Sequence, residues 1–199
     1  MKKDIYFQTI KYFLTLFTLI LIPIYSYSYG IQNFLWLSDI GLFLTIIGLW
    51  SNSTLFISMA AVGVLATELF WNIDFFADLL FAYNISSLSD YMFDASYPLF
   101  LRGLSLFHVI TPIIWIWYLA QYGYDRRSFI YFTFLYWSVL FLIYFGTSPE
   151  ENINWVFSNQ INNIGIASPV WFLFLFIAFP LFIFLPTHYV LQKIFSARE

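Results

Sequence analysis

Residues 97–119 read YPLFLRGLSLFHVITPIIWIWYL. A bilayer core of about 30 Å takes about 20 apolar residues as a helix, and this run is long enough and apolar enough to cross one. Yet it carries Arg102, Ser105 and His108 at three-residue intervals. On a continuous helix that spacing holds the three within about 120° of one another, on roughly one face. An ionisable ring inside an apolar span is costly and marks a pathway, a proton relay or a reaction. Whatever the rest of the chain sets against that face decides its use.

Of the 199 residues, 61% are hydrophobic, 25% aromatic and only 10% charged, whereas a soluble domain carries about 25% charged residues. Apolar runs at about residues 12–29, 33–50, 55–72, 98–120, 129–146 and 169–187 predict an all-α polytopic membrane protein with six transmembrane helices. No hydrophilic stretch is long enough to fold by itself, so residues 1–199 are expected to form a single transmembrane domain. The absence of cysteine excludes disulfides, thiolate metal sites and cysteine nucleophiles. No lysine/arginine cluster offers a footprint for nucleic acid. The tryptophans and tyrosines at the ends of the runs fit an interfacial aromatic belt, and no cofactor is expected.

Lys2, Lys3 and Lys11 precede the first apolar run, a pattern shared with signal peptides. Ser26-Tyr27-Ser28 is a poor small-residue cleavage site, so the run is expected to remain as the first helix. Ser51-Asn52-Ser53-Thr54 reads as a turn between antiparallel neighbours. Residues 72–97, with Asp74, Asp78, Asp90 and Asp94, read as a loop that holds a short interfacial helix over 74–83. A short charged loop at 121–128 and a long polar one after residue 146 complete the connections. Lysine and arginine set orientation. With the N-terminus inside, Lys2, Lys3, Lys11, Arg126, Arg127, Lys193 and Arg198 fall on the cytoplasmic side, and so do both termini. The setting expected is a cell membrane, that of a bacterial inner membrane.

At about 1.5 Å per helical residue, this topology gives depths. Ser38 and Asp39 lie within two turns of the outer face, Glu68 in the outer half with Asn72 one turn above it, and His108 towards mid-depth. Arg102 and Ser105 approach from the same side, and Asp74, Asp94, Glu150, Glu151, Asn152 and Asn154 can join the rim from the loops. A polar cavity opening outward is the expectation.

The chemistry follows from residue type. Serine becomes a nucleophile when a base takes its proton, and histidine is the usual base. A carboxylate that orients the imidazole completes the set. Ser38 is thus the candidate nucleophile, His108 the base, Asp39 or Glu68 the orienting group, and Arg102 the oxyanion or headgroup partner. Acyl transfer or ester hydrolysis on a membrane lipid or lipophilic ester is the reaction indicated. Two rivals stand beside it. Glu68, Asp74 and His108, with Glu150 or Glu151, are acceptable ligands for zinc or manganese, but no HExxH-type motif supports them and no metal is expected. In the other, Asp39 and Glu68 pair with Arg102 only to lock helices together, Ser38 is a packing residue, and the protein is a carrier, receptor or assembly factor. His188, beyond Pro186 at the cytoplasmic end, is expected to anchor the interface and not to reach the outer cluster.

WLSDIGLFLTIIGLW (36–50), LFISMAAVGVLATELF (55–70) and FLRGLSLFHVITPIIWIWYL (100–119) together resemble the bacterial YwaF-like integral membrane proteins. Those are related to the ether-phospholipid membrane acyltransferases and distantly to the AIG/ADTRP-type hydrolases of fatty acid esters. The likeness covers residues 34–186 in layout and the second to fourth helices in detail. It implies six helices, a nucleophile on an early helix and a histidine on a later one. Ser38-Asp39 stands where YwaF-like sequences have a Cys-Asp pair, and His108, after Leu104-Ser105-Leu106-Phe107, matches the family histidine. Serine here replaces the family's cysteine or threonine.

Overall fold

The structure, a computed structural model, describes residues 2–157 and 168–195, and all the regular elements among them are helices. In chain order they are α1 (Lys2–Tyr29), a 3-10 turn (Ile31–Leu35), α2 (Leu37–Ser51), α3 (Thr54–Phe81), α4 (Leu99–Leu104), α5 (Phe107–Tyr122) and α6 (Ser128–Gly146). The last rod joins α7 (Ser168–Phe179), a π turn (Pro180–Phe184) and α8 (Leu185–Phe195). Five stretches, Ile5–Tyr29, Thr54–Phe81, Leu99–Tyr122, Ser128–Gly146 and Ser168–Phe195, are long and apolar enough to cross a membrane. The sixth, α2, has 15 residues. The architecture is that of an all-α multi-pass membrane protein.

α3 is the central rod. Ile57, Ala60, Ala61 and Val62 are fully buried, and small residues let neighbouring backbones approach. Gly63 is the tightest point. A Cβ there would lie 1.8 Å from Cε1 of Phe132 on α6, so α6 packs directly on the glycine backbone. α6 and α7 interlock through aromatic rings, with Trp137 and Phe176 stacked at 4.6 Å. Pro180 has no N–H to give the carbonyl of Phe176. The indole N–H of Trp137 supplies one at 2.9 Å, and the chain passes Pro180 through a π turn.

Two ends are well defined. At one, Lys11 Nζ sits 3.9 Å over the Trp50 ring, the Asp125 amide donates to Ser58 Oγ at 3.0 Å, and the Tyr124 amide to the Phe195 carbonyl at 2.9 Å. His188 belongs to this end, where Ser128 Oγ donates to Tyr124 Oη, whose hydroxyl donates to His188 Nδ1, both at 2.8 Å. The opposite end carries the 82–98 and 147–157 loops and the start of α2.

Five elements depart from the sequence reading. The last helix, expected over 169–187, runs on through α8 to Phe195, and the second, expected from residue 33, begins at Leu37 after the 3-10 turn. α1 starts ten residues earlier than expected, at Lys2 in place of residue 12. α3 does not stop near residue 72 but runs to Phe81, so the interfacial helix expected over 74–83 is its continuation. NIDFFADLLF contains no glycine or proline to end a helix, and termination waits for Ala82 in the left-handed region at φ 50°. The span expected at 98–120 is broken at Ser105-Leu106, between α4 and α5. There the amides of Ser105, Leu106 and His108 bond three residues back, to Arg102, Gly103 and Ser105; on the α4 side of the break Arg102 donates to the Met92 carbonyl and does not line the cavity that His108 lines.

Candidate functional site

A cavity of about 670 Å³ opens between α1, α2, α3 and α5 and reaches α6 and the π turn. Its polar wall is built first from α3 and α5. Glu68, midway along α3 and 2% exposed, faces the first turn of α5, where His108 Nδ1 lies 2.8 Å from Glu68 Oε2. With an ionised Glu68 and a neutral imidazole, this contact puts the proton on Nδ1 and leaves the lone pair on Nε2. Nε2 has no hydrogen-bond partner among the described residues. The ring is fixed from both faces by Trp71 at 4.6 Å and Phe107 at 4.2 Å. Asn72 ties the two helices together, since its amide donates to the carbonyls of Glu68 and His108, both at 2.8 Å.

The second wall is the first turn of α2. A helix start leaves amides without intrahelical acceptors. Here the Trp36 amide reaches Asn33 O at 3.0 Å and the Leu37 amide reaches Asn154 Oδ1 at 3.1 Å. Those of Ser38 and Asp39 find no acceptor among the described residues. Asn154 also donates to the Leu35 carbonyl at 2.8 Å, so one side chain from the long polar loop clasps the entry to α2. That loop holds Asn152, Asn154 and Trp155 at φ 41°, 49° and 53°. Asparagine adopts the left-handed region readily; tryptophan does so only where its surroundings enforce it. Trp155 is held by Trp36 at 5.5 Å and by the Trp171 indole N–H, which donates to its carbonyl at 2.7 Å.

Of the residues singled out from sequence, Ser38, Asp39, Glu68, His108 and Ser105 line this cavity. Asp39 is 3% exposed, and its Oδ1 has no hydrogen-bond partner among the described residues. Ser38 is half-buried and makes no hydrogen bond to His108, which is engaged through Nδ1 by Glu68. Of the two candidate carboxylates, Glu68 is the one bonded to His108. Ser105 Oγ is bonded to Tyr25 Oη at 2.9 Å.

The remaining rim residues do not join them. Arg102 Nη1 donates to the Met92 carbonyl at 2.9 Å, outside the cavity, so it is neither an oxyanion partner nor the counter-ion of Asp39 or Glu68. Asp74 organises the 82–98 loop: Oδ1 accepts from the amides of Ile85 and Ser86, Oδ2 from the amide and hydroxyl of Ser89. With four donors already on it, Asp74 is no partner for Glu68 and His108. Among the described residues no group of three or more His, Cys, Asp or Glu is placed to hold a metal ion. Glu150 is exposed, Glu151 is bonded to Gln32 and the Ser148 amide, and Asn152 Oδ1 accepts the Phe157 amide at 2.8 Å. None of these three lines the cavity.

Sequence reasoning missed the contribution of α1, whose Tyr25 and Tyr29 form part of the wall. Tyrosines at 25, 27 and 29 end that helix in alternation, the one signal that pointed inward. It also left Asn154 among general rim residues. The chain matches no family model, no curated protein and no solved structure.

Proposed function

We propose that this protein is a membrane-embedded acyl hydrolase or acyltransferase acting on a lipid-like ester. The observation that carries the reading is the Glu68–His108 hydrogen bond, 2.8 Å long, in a cavity whose wall also presents Ser38. In this account Ser38 Oγ attacks the ester carbonyl while His108 Nε2 takes its proton. Glu68 stabilises the imidazolium through Nδ1–H. The oxyanion of the tetrahedral intermediate is received by the free amides of Ser38 and Asp39, the positive end of α2. Collapse expels the alcohol, which recovers the proton from Nε2. Water or an acceptor alcohol then attacks the acyl-serine through the same base. In empty sites catalytic hydrogen bonds are commonly unmade and close on the substrate. Tyr136, Phe179 and Ile183 at the far wall suit an aliphatic chain.

The same reading agrees with the resemblance to YwaF-like proteins at Ser38-Asp39 and His108. The membrane is that of a bacterial cell, and the cavity faces the outer leaflet. The resemblance supports the bacterial setting, and the gathering of Lys11, Arg126 and Arg127 at the end opposite the cavity supports the orientation.

A lipophilic fluorophosphonate probe tests the proposal in native membranes. Wild type is labelled, and His108→Ala abolishes labelling while leaving the amount of folded protein unchanged. A folded wild type that resists every such probe would refute the enzymatic reading. The second reading, a non-enzymatic carrier or receptor with the same cavity, is favoured by one observation, that Ser38 and His108 are not bonded to each other.

A further inference from the structure

The cavity holds two carboxylates and, among the described residues lining it, no lysine or arginine. Glu68 is satisfied by His108, while Asp39, almost wholly buried, keeps an oxygen without a partner. Arg102 is the one lysine or arginine between residues 12 and 125; its Nη1 donates to the Met92 carbonyl, and it does not line the cavity. An anionic head would meet two carboxyl groups and no lysine or arginine, with the one histidine already engaged by Glu68, a lining that disfavours it. The walls beside Asp39 are aromatic: Tyr25, Tyr29, Trp36, Trp71, Tyr91 and Trp155. Aromatic faces attract cations, most strongly where water is excluded.

We infer that the head of the amphiphile this cavity takes is a cation of the ammonium class, received by Asp39 and the surrounding tyrosine and tryptophan rings. A bound cation supplies the partner that the buried oxygen of Asp39 lacks. The inference rests on the reading of this cavity as the substrate site. Within that reading the ester carries an ammonium group, and phospholipids whose net charge is negative are excluded.

The test uses the full chain in neutral maltoside micelles with three twelve-carbon probes: dodecyltrimethylammonium, dodecyl sulfate and dodecanol. Binding is read by thermal shift and by tryptophan fluorescence. The ammonium probe is expected to bind about tenfold more tightly than either of the others, and Asp39→Asn to remove that preference. The comparison of the three heads on wild type needs no variant, so it stands even where Asp39→Asn fails to fold; Tyr29→Leu, expected to weaken only the ammonium probe, is the second variant. Equal binding of the three heads, or a preference for the sulfate, overturns the inference. Ammonium selectivity without fluorophosphonate labelling would retain it and sink the enzymatic reading. Labelling with no head preference would do the reverse.

Discussion

Glu68 and His108, forty residues apart on α3 and α5, meet at 2.8 Å in a wall of the cavity between α1, α2, α3 and α5. The carboxylate engages Nδ1, and Trp71 and Phe107 fix the plane of the ring. In the proposed mechanism this leaves Nε2 for chemistry. Glu68→Gln should preserve the shape and disturb the tautomer. The rate of fluorophosphonate labelling is expected to fall by roughly 10²–10⁴-fold, with thermal stability within about 1 kcal/mol of wild type. Labelling at the wild-type rate in this variant would remove Glu68 from the mechanism.

Asn154 is the clasp between the polar loop and α2, through Leu37 N–H and the Leu35 carbonyl. Asn154→Ala orphans both groups where water is scarce. A loss of about 2 kcal/mol in unfolding free energy is expected. Asn154→Asp, which keeps the acceptor and loses the donor, should fall between the two. Equilibrium unfolding in micelles measures both.

Asp74 holds the 82–98 loop through the amides of Ile85, Ser86 and Ser89. Asp74→Ala should release those amides, seen as faster hydrogen exchange confined to residues 85–89. Since its oxygens are already occupied, zinc or manganese should leave wild-type exchange at those positions unchanged. Metal-dependent protection there would revive a ligand role for Asp74.

Gly63→Ala would drive a methyl into Phe132, where the closest approach of 1.8 Å leaves no room. Overpacking of this kind costs about 1–3 kcal/mol, and Phe132→Leu in the same chain should recover part of it. Gly103→Ala meets open space and should be neutral within about 0.5 kcal/mol. Thermal unfolding of the three variants side by side decides it.

Much of the fold was legible because a bilayer imposes length and polarity on every span: the apolar runs, the Ser51–Thr54 turn and the cluster of Ser38, Asp39, Glu68 and His108 could all be read from residue order. The break at Ser105-Leu106 could not. An apolar run says how far a chain must travel, not where its helix is interrupted or which loop carbonyl claims a side chain, and so Arg102 was placed at a cavity it does not line. Asp74 misled for a related reason. Four aspartates between two helices look like a loop or a ligand set, and only coordinates reveal that one of them is the acceptor on which the loop folds. Tyr25 and Tyr29 were hidden by ambiguity, because tyrosines near a helix end serve an interface or a cavity equally well until the neighbouring helices are placed.

The most direct measurement is the identity of the residue modified when the native protein reacts with a lipophilic fluorophosphonate, read by peptide mass spectrometry. Three serines that line the cavity, Ser38, Ser87 and Ser105, are available to it. The account predicts the adduct on Ser38, at a rate that depends on both His108 and Glu68. An adduct on Ser87 or Ser105, or on Ser38 at a rate indifferent to His108, would contradict it.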